Sequence, residues 1–160
     1  MGTSTYELIA STTGTSATFT SIPQTYTHLV LSYRGNFSST NDQIAVRFNN
    51  DTSGNYSDNS FAGNGTSVGS GYDTSNTGMY LGFVTNTTDN ACELSIFNYT
   101  NTNLNKQVLN KFGSTQTQVE QSVGLWRSTA AINRIDLYVY PTSHSFGSSS
   151  RFDLYGIKGA

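Results

Sequence analysis

Ile132–Tyr140 reads INRIDLYVY and Arg151–Ile157 reads RFDLYGI, and these two stretches decide the fold class. In each of them, apolar residues recur at every other position, as in a β-strand with one buried face and one outward face. The second stretch ends close to the last residue given, and its pattern predicts a strand packed in a sheet rather than a frayed tail.

The same alternation occurs in the N-terminal half, in Tyr26–Arg34 and Gln43–Phe48. In Tyr26–Arg34 the apolar set predicts that His28 faces away from the core. The four stretches together predict a core between two sheets. Its members are Leu29, Leu31, Tyr33, Ile44, Val46, Phe48, Ile135, Leu137, Val139, Phe152 and Leu154.

Further strands are predicted where short apolar runs lie between turn-forming residues. They are Thr5–Ala10, Ala17–Thr20, Met79–Val84, Glu93–Tyr99, Lys106–Phe112 and Gln118–Val123. No segment has a helical period, and no internal repeat or linker divides the chain. We therefore predict one all-β domain over residues 1–160, an antiparallel β-sandwich of about eight to ten strands. The strand count and the long connections favour a jelly-roll-like arrangement.

One long stretch, Asn49–Gly78, is rich in Gly and Asp and is predicted to be a loop that forms contacts. Tyr56 and Tyr72 lie in it, and Tyr99 follows a later strand. We predict that these three loop tyrosines contact a partner, since Tyr gives a large contact area with little loss of entropy. For Trp126, three alternatives stay open: packing in the core or at a corner, a subunit interface, and stacking on a ligand.

Composition excludes several classes of protein. Charged residues make up 11% of the chain and aromatic residues 12%, a content that argues against disorder. The net charge is −2, and no basic stripe occurs, so a nucleic-acid partner is not expected. No apolar run is long enough to cross a membrane. The one cysteine, Cys92, excludes an intramolecular disulfide and is interpreted as a packed thiol.

No combination of residues predicts catalysis, a metal site or a cofactor. His28 and His144 are the two histidines, and no nucleophile elbow accompanies them. Asp51–Asp58 has spaced oxygen ligands, but a turn explains it better than a bound cation. The acids of the predicted strands are interpreted as solvated positions or as partners of Arg34, Arg47 and Arg134. They are Glu7, Glu93, Glu120, Asp136 and Asp153. We therefore predict that the protein is not an enzyme.

Four segments carry a resemblance to a known group of proteins. They are Phe19–Leu29, Arg47–Ser57, Gly124–Ile135 and Ser150–Ile157. Together they resemble small β-structural virion proteins of tailed bacteriophages, especially those from aquatic phage genomes. Such proteins occur as capsid decoration proteins and as domains of tail fibres or receptor-binding proteins. The resemblance extends from Phe19 to Ile157 and implies a jelly roll, with no reaction to assign to any residue.

Three functions follow as alternatives: a capsid decoration (cement) protein, a tail-fibre or spike domain that recognises host surface glycans, and an enzyme. The first strand is predicted to begin by Thr5, without a preceding coiled coil, which favours the decoration protein. We expect a homotrimer on the outer surface of the virion, bound to the major capsid protein or other virion proteins. The residues expected at the interface are Tyr56, Tyr72, Tyr99 and Trp126.

Overall fold

The computed structural model describes residues 5–39, 42–84, 89–115 and 118–159, and those residues form twelve β-strands. The strands are β1 (Tyr6–Thr13), β2 (Ala17–Phe19), β3 (His28–Gly35), β4 (Asp42–Phe48), β5 (Tyr56–Gly63), β6 (Val68–Asn76), β7 (Met79–Val84), β8 (Asn90–Phe97), β9 (Lys106–Ser114), β10 (Val119–Trp126), β11 (Ile135–Tyr140) and β12 (Arg151–Ile157). Among the described residues, no helix is long and apolar enough to cross a membrane.

The strands form two antiparallel sheets that pack face to face. The larger sheet has eight strands in the order β1-β12-β3-β8-β9-β10-β5-β6, and the smaller sheet has four in the order β2-β11-β4-β7. This arrangement confirms the predicted all-β sandwich of jelly-roll-like character, with more strands than the eight to ten expected.

The core lies between the sheets and contains every residue predicted for it from alternation. All eleven side chains of that set are at most 2% exposed. Alternation succeeds here because each of these strands has one face on the opposite sheet and the other face outward. An aromatic cluster closes one part of the core, where the ring centroid of Tyr33 lies 5.3 Å from that of Phe152 and 4.8 Å from that of Phe146.

The prediction that Asn49–Gly78 is a loop is wrong for most of this stretch, because the stretch contains β5 and β6. These strands form a hairpin that closes at Asn64–Ser67, where the Asn64 side chain accepts hydrogen bonds from the backbone of Thr66 and Ser67. On its other side, β5 pairs with β10 in register from Tyr56–Trp126 to Gly63–Val119. Pairing with a neighbouring strand thus outweighs the low strand propensity of Gly and Asp.

Candidate binding surface

The outer face of the larger sheet, which points away from the smaller sheet, bears a group of exposed apolar side chains. We call this group the apolar strip, and it comprises Phe61, Val68, Tyr72, Leu109, Val119 and Val123. Registers across β9, β10, β5 and β6 place them on one face, since Val123 lies opposite Leu109 on one side and Asn59 on the other. A depression of about 570 Å³ lies within the strip, with Phe61, Val68 and Val119 among its lining residues.

Apolar area of this kind on an outward sheet face is a feature of interaction sites, since single exposed residues are common but contiguous groups are not. Val68 is 84% exposed and Tyr72 is 77% exposed, and both belong to β6. The apolar strip therefore extends to β6, the edge strand of the larger sheet, where backbone N–H and C=O groups are also available to pair with another strand.

The open edges of the two sheets differ in how they are protected from pairing with another chain. In the described chain, β2 at one edge of the smaller sheet has only three residues. At an edge of the larger sheet, β1 is interrupted by a register shift between Leu8 and Ala10. Short strands and bulges are two devices by which sheets avoid pairing with other chains.

The second edge of the smaller sheet, β7, is capped by side chains from the larger sheet. The backbone N–H of Tyr80 donates to Asp58 Oδ2 at 3.2 Å, and that of Phe83 donates to Glu120 Oε2 at 3.4 Å. The Phe83 carbonyl accepts from Gln118 Nε2 at 2.9 Å. Asn110 Nδ2 donates to the carbonyl of Leu81, which completes the cap.

In contrast, β6 is a long edge strand with little protection. All of its residues are exposed except the last, and Val68–Thr74 pairs with β5 without interruption. Its nine residues contain neither Pro nor Lys, and Asp73 is the one charged residue among them. Such an edge presents unpaired N–H and C=O groups that can add a strand from another chain.

The carboxylates that cap β7 lie in a cleft of about 230 Å³, together with Asp73, Tyr72 and Tyr80. Burial raises the pKa of the Asp58 carboxyl to about 6, and the negative charges of Asp73 and Glu120 act in the same direction. Burial also raises the pKa of Glu120. The sequence predicts Glu120 to be a solvated position or an arginine partner, whereas in the structure its carboxylate accepts from the Phe83 N–H and from Gln118 Nε2. The hydrogen bonds give the buried Asp58 and the partly buried Glu120 a structural role at the β7 edge.

Asp58→Asn is expected to raise the free energy of unfolding at pH 7 by about 2 kcal/mol. The asparagine oxygen can still accept from the Tyr80 N–H, while the cost of holding a buried charge disappears. Because the folded pKa of Asp58 lies above its ordinary value of 3.8, the native state gains from protonation below pH 6. The difference between variant and wild type should therefore vanish as the pH falls from 7 to about 4.

Urea unfolding at several pH values measures this difference. Asp73→Asn is the comparison that changes charge alone: Asp73 is exposed and caps no backbone group in the described chain, so removing its repulsion of Asp58 should give a much smaller gain than Asp58→Asn. A gain for Asp58→Asn that is independent of pH, or a loss at pH 7, would contradict a buried and ionised Asp58.

The second feature of the outer face is a depression that contains two arginines, which we call the arginine depression. It has a volume of about 760 Å³ and lies at one end of β1, β12, β3, β8 and β9. Arg151 of β12 is the direct cross-strand partner of Arg34 of β3. Across the neighbouring strands, Arg34 is paired with Ala91 of β8, and Ala91 is paired with Gly113 of β9. These two small residues form the floor of the arginine depression and leave space above it.

Three of the four residues predicted at an interface are in the core instead. Tyr56 and Tyr99 are 0% exposed and Trp126 is 2% exposed. The Tyr56 and Trp126 rings stack with centroids 6.2 Å apart, and the Tyr56 hydroxyl donates to the carbonyl of Phe48. The Tyr99 hydroxyl donates to the carbonyl of Pro23. Tyr56 and Tyr99 are therefore corrected from contact positions to core positions, Trp126 takes the core-packing alternative, and of the four only Tyr72 is exposed.

The residues considered for catalysis or metal binding have other local partners. Asp51 accepts from the backbone of Ser53, from Asn55 Nδ2 and from Trp126 Nε1, as a turn residue does. These bonds outweigh partial burial and lower its pKa to about 2. Within the described part of the chain, no three His, Cys, Asp or Glu side chains group as metal ligands.

The two histidines are separated on the fold. His28 Nδ1 accepts from the backbone N–H of Asn98 at 3.0 Å. His144 Nδ1 lies 2.6 Å from Oδ1 of Asp42, a carboxylate that is fully buried. Cys92 is buried, as predicted, and burial raises the pKa of its thiol to about 12, which leaves it unreactive.

No family model matches the chain, and no curated protein matches it. Among solved structures, it is similar to the marine PL-14 alginate lyase from Aplysia kurodai, with 11% identity, a TM-score of 0.36, and coverage of 87% of this chain and 72% of that one. It is also similar to a mutant of alginate lyase Aly36B in complex with alginate tetrasaccharide, with 11% identity, a TM-score of 0.33, and coverage of 84% and 72%. Likenesses this weak carry no argument about activity.

Proposed function

We propose that the chain is a capsid decoration protein, a non-enzymatic homotrimer on the outer surface of a phage virion that binds the major capsid protein. The observation that supports this proposal best is the open β6 edge beside the apolar strip. It combines unpaired backbone groups with exposed apolar side chains, the two features by which a sheet adds a strand from another chain.

The low charge of this region also favours an assembled state. The six side chains of the apolar strip carry no formal charge, and the charged residues near them are Asp73 of β6 together with Lys111 and Glu120, which line the depression within the strip. Packing such a surface against another protein desolvates few ions, so that buried apolar area stabilises the complex without a large opposing cost.

Symmetry limits how the edge can be used. Two β6 strands that pair with each other close as a two-fold dimer, whereas a trimer requires that β6 meets a different surface of the next copy. In the proposed trimer, β6 and the apolar strip of each copy therefore contact a neighbouring copy, and the assembled ring binds the shell.

The edge can be blocked by one added charge. A Cβ at Gly69 would meet nothing within 4 Å, so Gly69→Lys places an ammonium on β6 without a clash. We expect the wild type to be a trimer by light scattering and Gly69→Lys to be a monomer with an unchanged circular dichroism spectrum. Gly69→Ala, the control without charge, should remain a trimer.

Binding to particles tests the rest of the proposal. Shells that lack the protein should bind the wild type at saturating stoichiometry and gain resistance to heat or low salt, and Gly69→Lys should bind them at least tenfold more weakly. A wild type that is monomeric and does not bind shells would contradict the proposal. Binding to cells or purified host glycan without binding to shells would favour a tail-fibre or spike domain instead.

A further inference from the structure

We infer that the arginine depression binds an anionic polysaccharide, through a carboxylate or sulfate group held by Arg34 and Arg151. This inference does not depend on the proposed assembly role, because it concerns the β1-β12-β3-β8-β9 part of the outer face, away from β6.

Two like charges lie side by side in the arginine depression. Arg34 and Arg151 are direct partners on adjacent antiparallel strands, a position in which two cations repel and destabilise the pair. An anion bound between the two guanidinium groups removes this cost and accepts charge-assisted hydrogen bonds from both.

Both guanidinium groups keep N–H donors that no described residue uses. Arg34 has no hydrogen-bond or ion-pair partner among the described residues. Arg151 contacts Asp153 through Nε, at 3.1 and 2.8 Å from the two carboxylate oxygens. Its terminal nitrogens therefore stay free to donate to a ligand.

The shape and lining of the arginine depression also suit a sugar chain. Ala91 and Gly113 lie beside Arg34 in the same cross-strand row, so a ligand group can approach the guanidinium from the side. Hydroxyl-bearing residues surround this floor, including Thr13, Thr115 and Ser149. Hydroxyls both donate and accept hydrogen bonds, which suits the hydroxyl groups of sugars.

The charge of the surroundings argues for an isolated acidic group rather than a nucleic acid. Asp153 pairs with Arg151, and Asp89 lines the depression without an ion pair to either arginine within 4 Å. Two cations near two carboxylates cannot neutralise a phosphate backbone, which requires a broad basic surface. A polysaccharide that carries single carboxylate or sulfate groups and is otherwise neutral and rich in hydroxyls fits two arginines and two carboxylates better.

The test measures binding of the full chain to three polymers by affinity electrophoresis and calorimetry: polygalacturonate, dextran sulfate and uncharged dextran. We expect binding to at least one of the two anionic polymers, weaker binding at higher salt, and none to dextran. The comparison of the first two polymers distinguishes carboxylate from sulfate as the recognised group.

Single substitutions then change the charge and the shape of the arginine depression separately. Arg34→Gln and Arg151→Gln should each weaken binding tenfold or more. Gly113→Val should weaken it without a change of charge, since a Cβ there meets nothing within 4 Å and the added side chain fills the floor. Asp89→Asn should strengthen it severalfold, because it removes a repelling carboxylate.

Lys111→Gln is the matched control. It removes the same charge from an exposed residue of the same face, which lines the depression in the apolar strip and not the arginine depression. Arg34→Gln should unfold at or above the wild-type temperature, since it removes the repulsion from Arg151, and this separates lost binding from lost fold. Any one of four results would overturn the inference. Lys111→Gln and Arg34→Gln could weaken binding equally, or both arginine variants could bind like the wild type. The wild type could also bind neither anionic polymer, or bind an oligonucleotide equally well.

Discussion

Trp126→Ala is expected to lower the free energy of unfolding by about 3–5 kcal/mol, as is usual when a buried aromatic side chain is removed. The Trp126 ring is stacked on Tyr56, and its centroid lies 5.6 Å from that of Phe48. Its Nε1 also donates to Asp51 Oδ2 at 2.7 Å, so the variant loses a charge-assisted hydrogen bond in addition to packing. Urea unfolding followed by circular dichroism measures the loss.

Trp126→Phe separates the two contributions, because it retains an aromatic ring and removes the donor to Asp51. We expect it to cost clearly less than Trp126→Ala. A loss below about 1 kcal/mol for Trp126→Ala, together with a change of oligomeric state, would contradict core packing and restore the interface alternative.

His144→Ala should lower the free energy of unfolding by about 1–3 kcal/mol, the usual cost of leaving a buried polar group without its hydrogen-bond partner. The Asp42 carboxylate is 0% exposed and lies 2.6 Å from His144 Nδ1, while Oδ2 has no hydrogen-bond partner among the described residues. Removal of the imidazole leaves a buried carboxylate without its neighbour, and the cost of that desolvation appears in the stability.

A double-mutant cycle with Asp42→Asn measures the coupling of this pair. The double variant should be more stable than His144→Ala alone, because a buried amide is cheaper than a buried charge. Equal and additive losses for the two substitutions would show that the 2.6 Å contact carries no coupling energy.

Alternation predicts the strands that have one face in the core, and it fails where both faces are exposed. Phe152 and Leu154 alternate with polar residues because β12 packs on the smaller sheet, and the same pattern identifies β11. In β6, residues of both faces are exposed, so no apolar periodicity develops. Gly69 and Gly71 in that strand are typical of turns, and only the pairing with β5 shows that they lie in a sheet.

The candidate sites were harder to predict because their members come together through pairing between distant strands. Arg34 and Arg151 are neighbours only because β12 lies beside β3, a contact that no local pattern specifies. Tyr56 and Tyr99 were misplaced for a related reason. Their hydroxyls donate to backbone carbonyls of Phe48 and Pro23, and a sequence rich in Asn, Ser and Thr around them resembles a surface loop.

The position of β12 between β1 and β3 also governs the order in which the chain can fold. β12 follows every other strand in the sequence, yet it pairs with two strands near the beginning. During synthesis, β1 must therefore wait for its sheet neighbour until the segment that ends at Ile157 has emerged from the ribosome, and β3 must wait as long for one of its two neighbours. Contacts between such distant segments carry a large loop-closure entropy, and they place this protein among the slow-folding β-proteins, which take milliseconds to seconds.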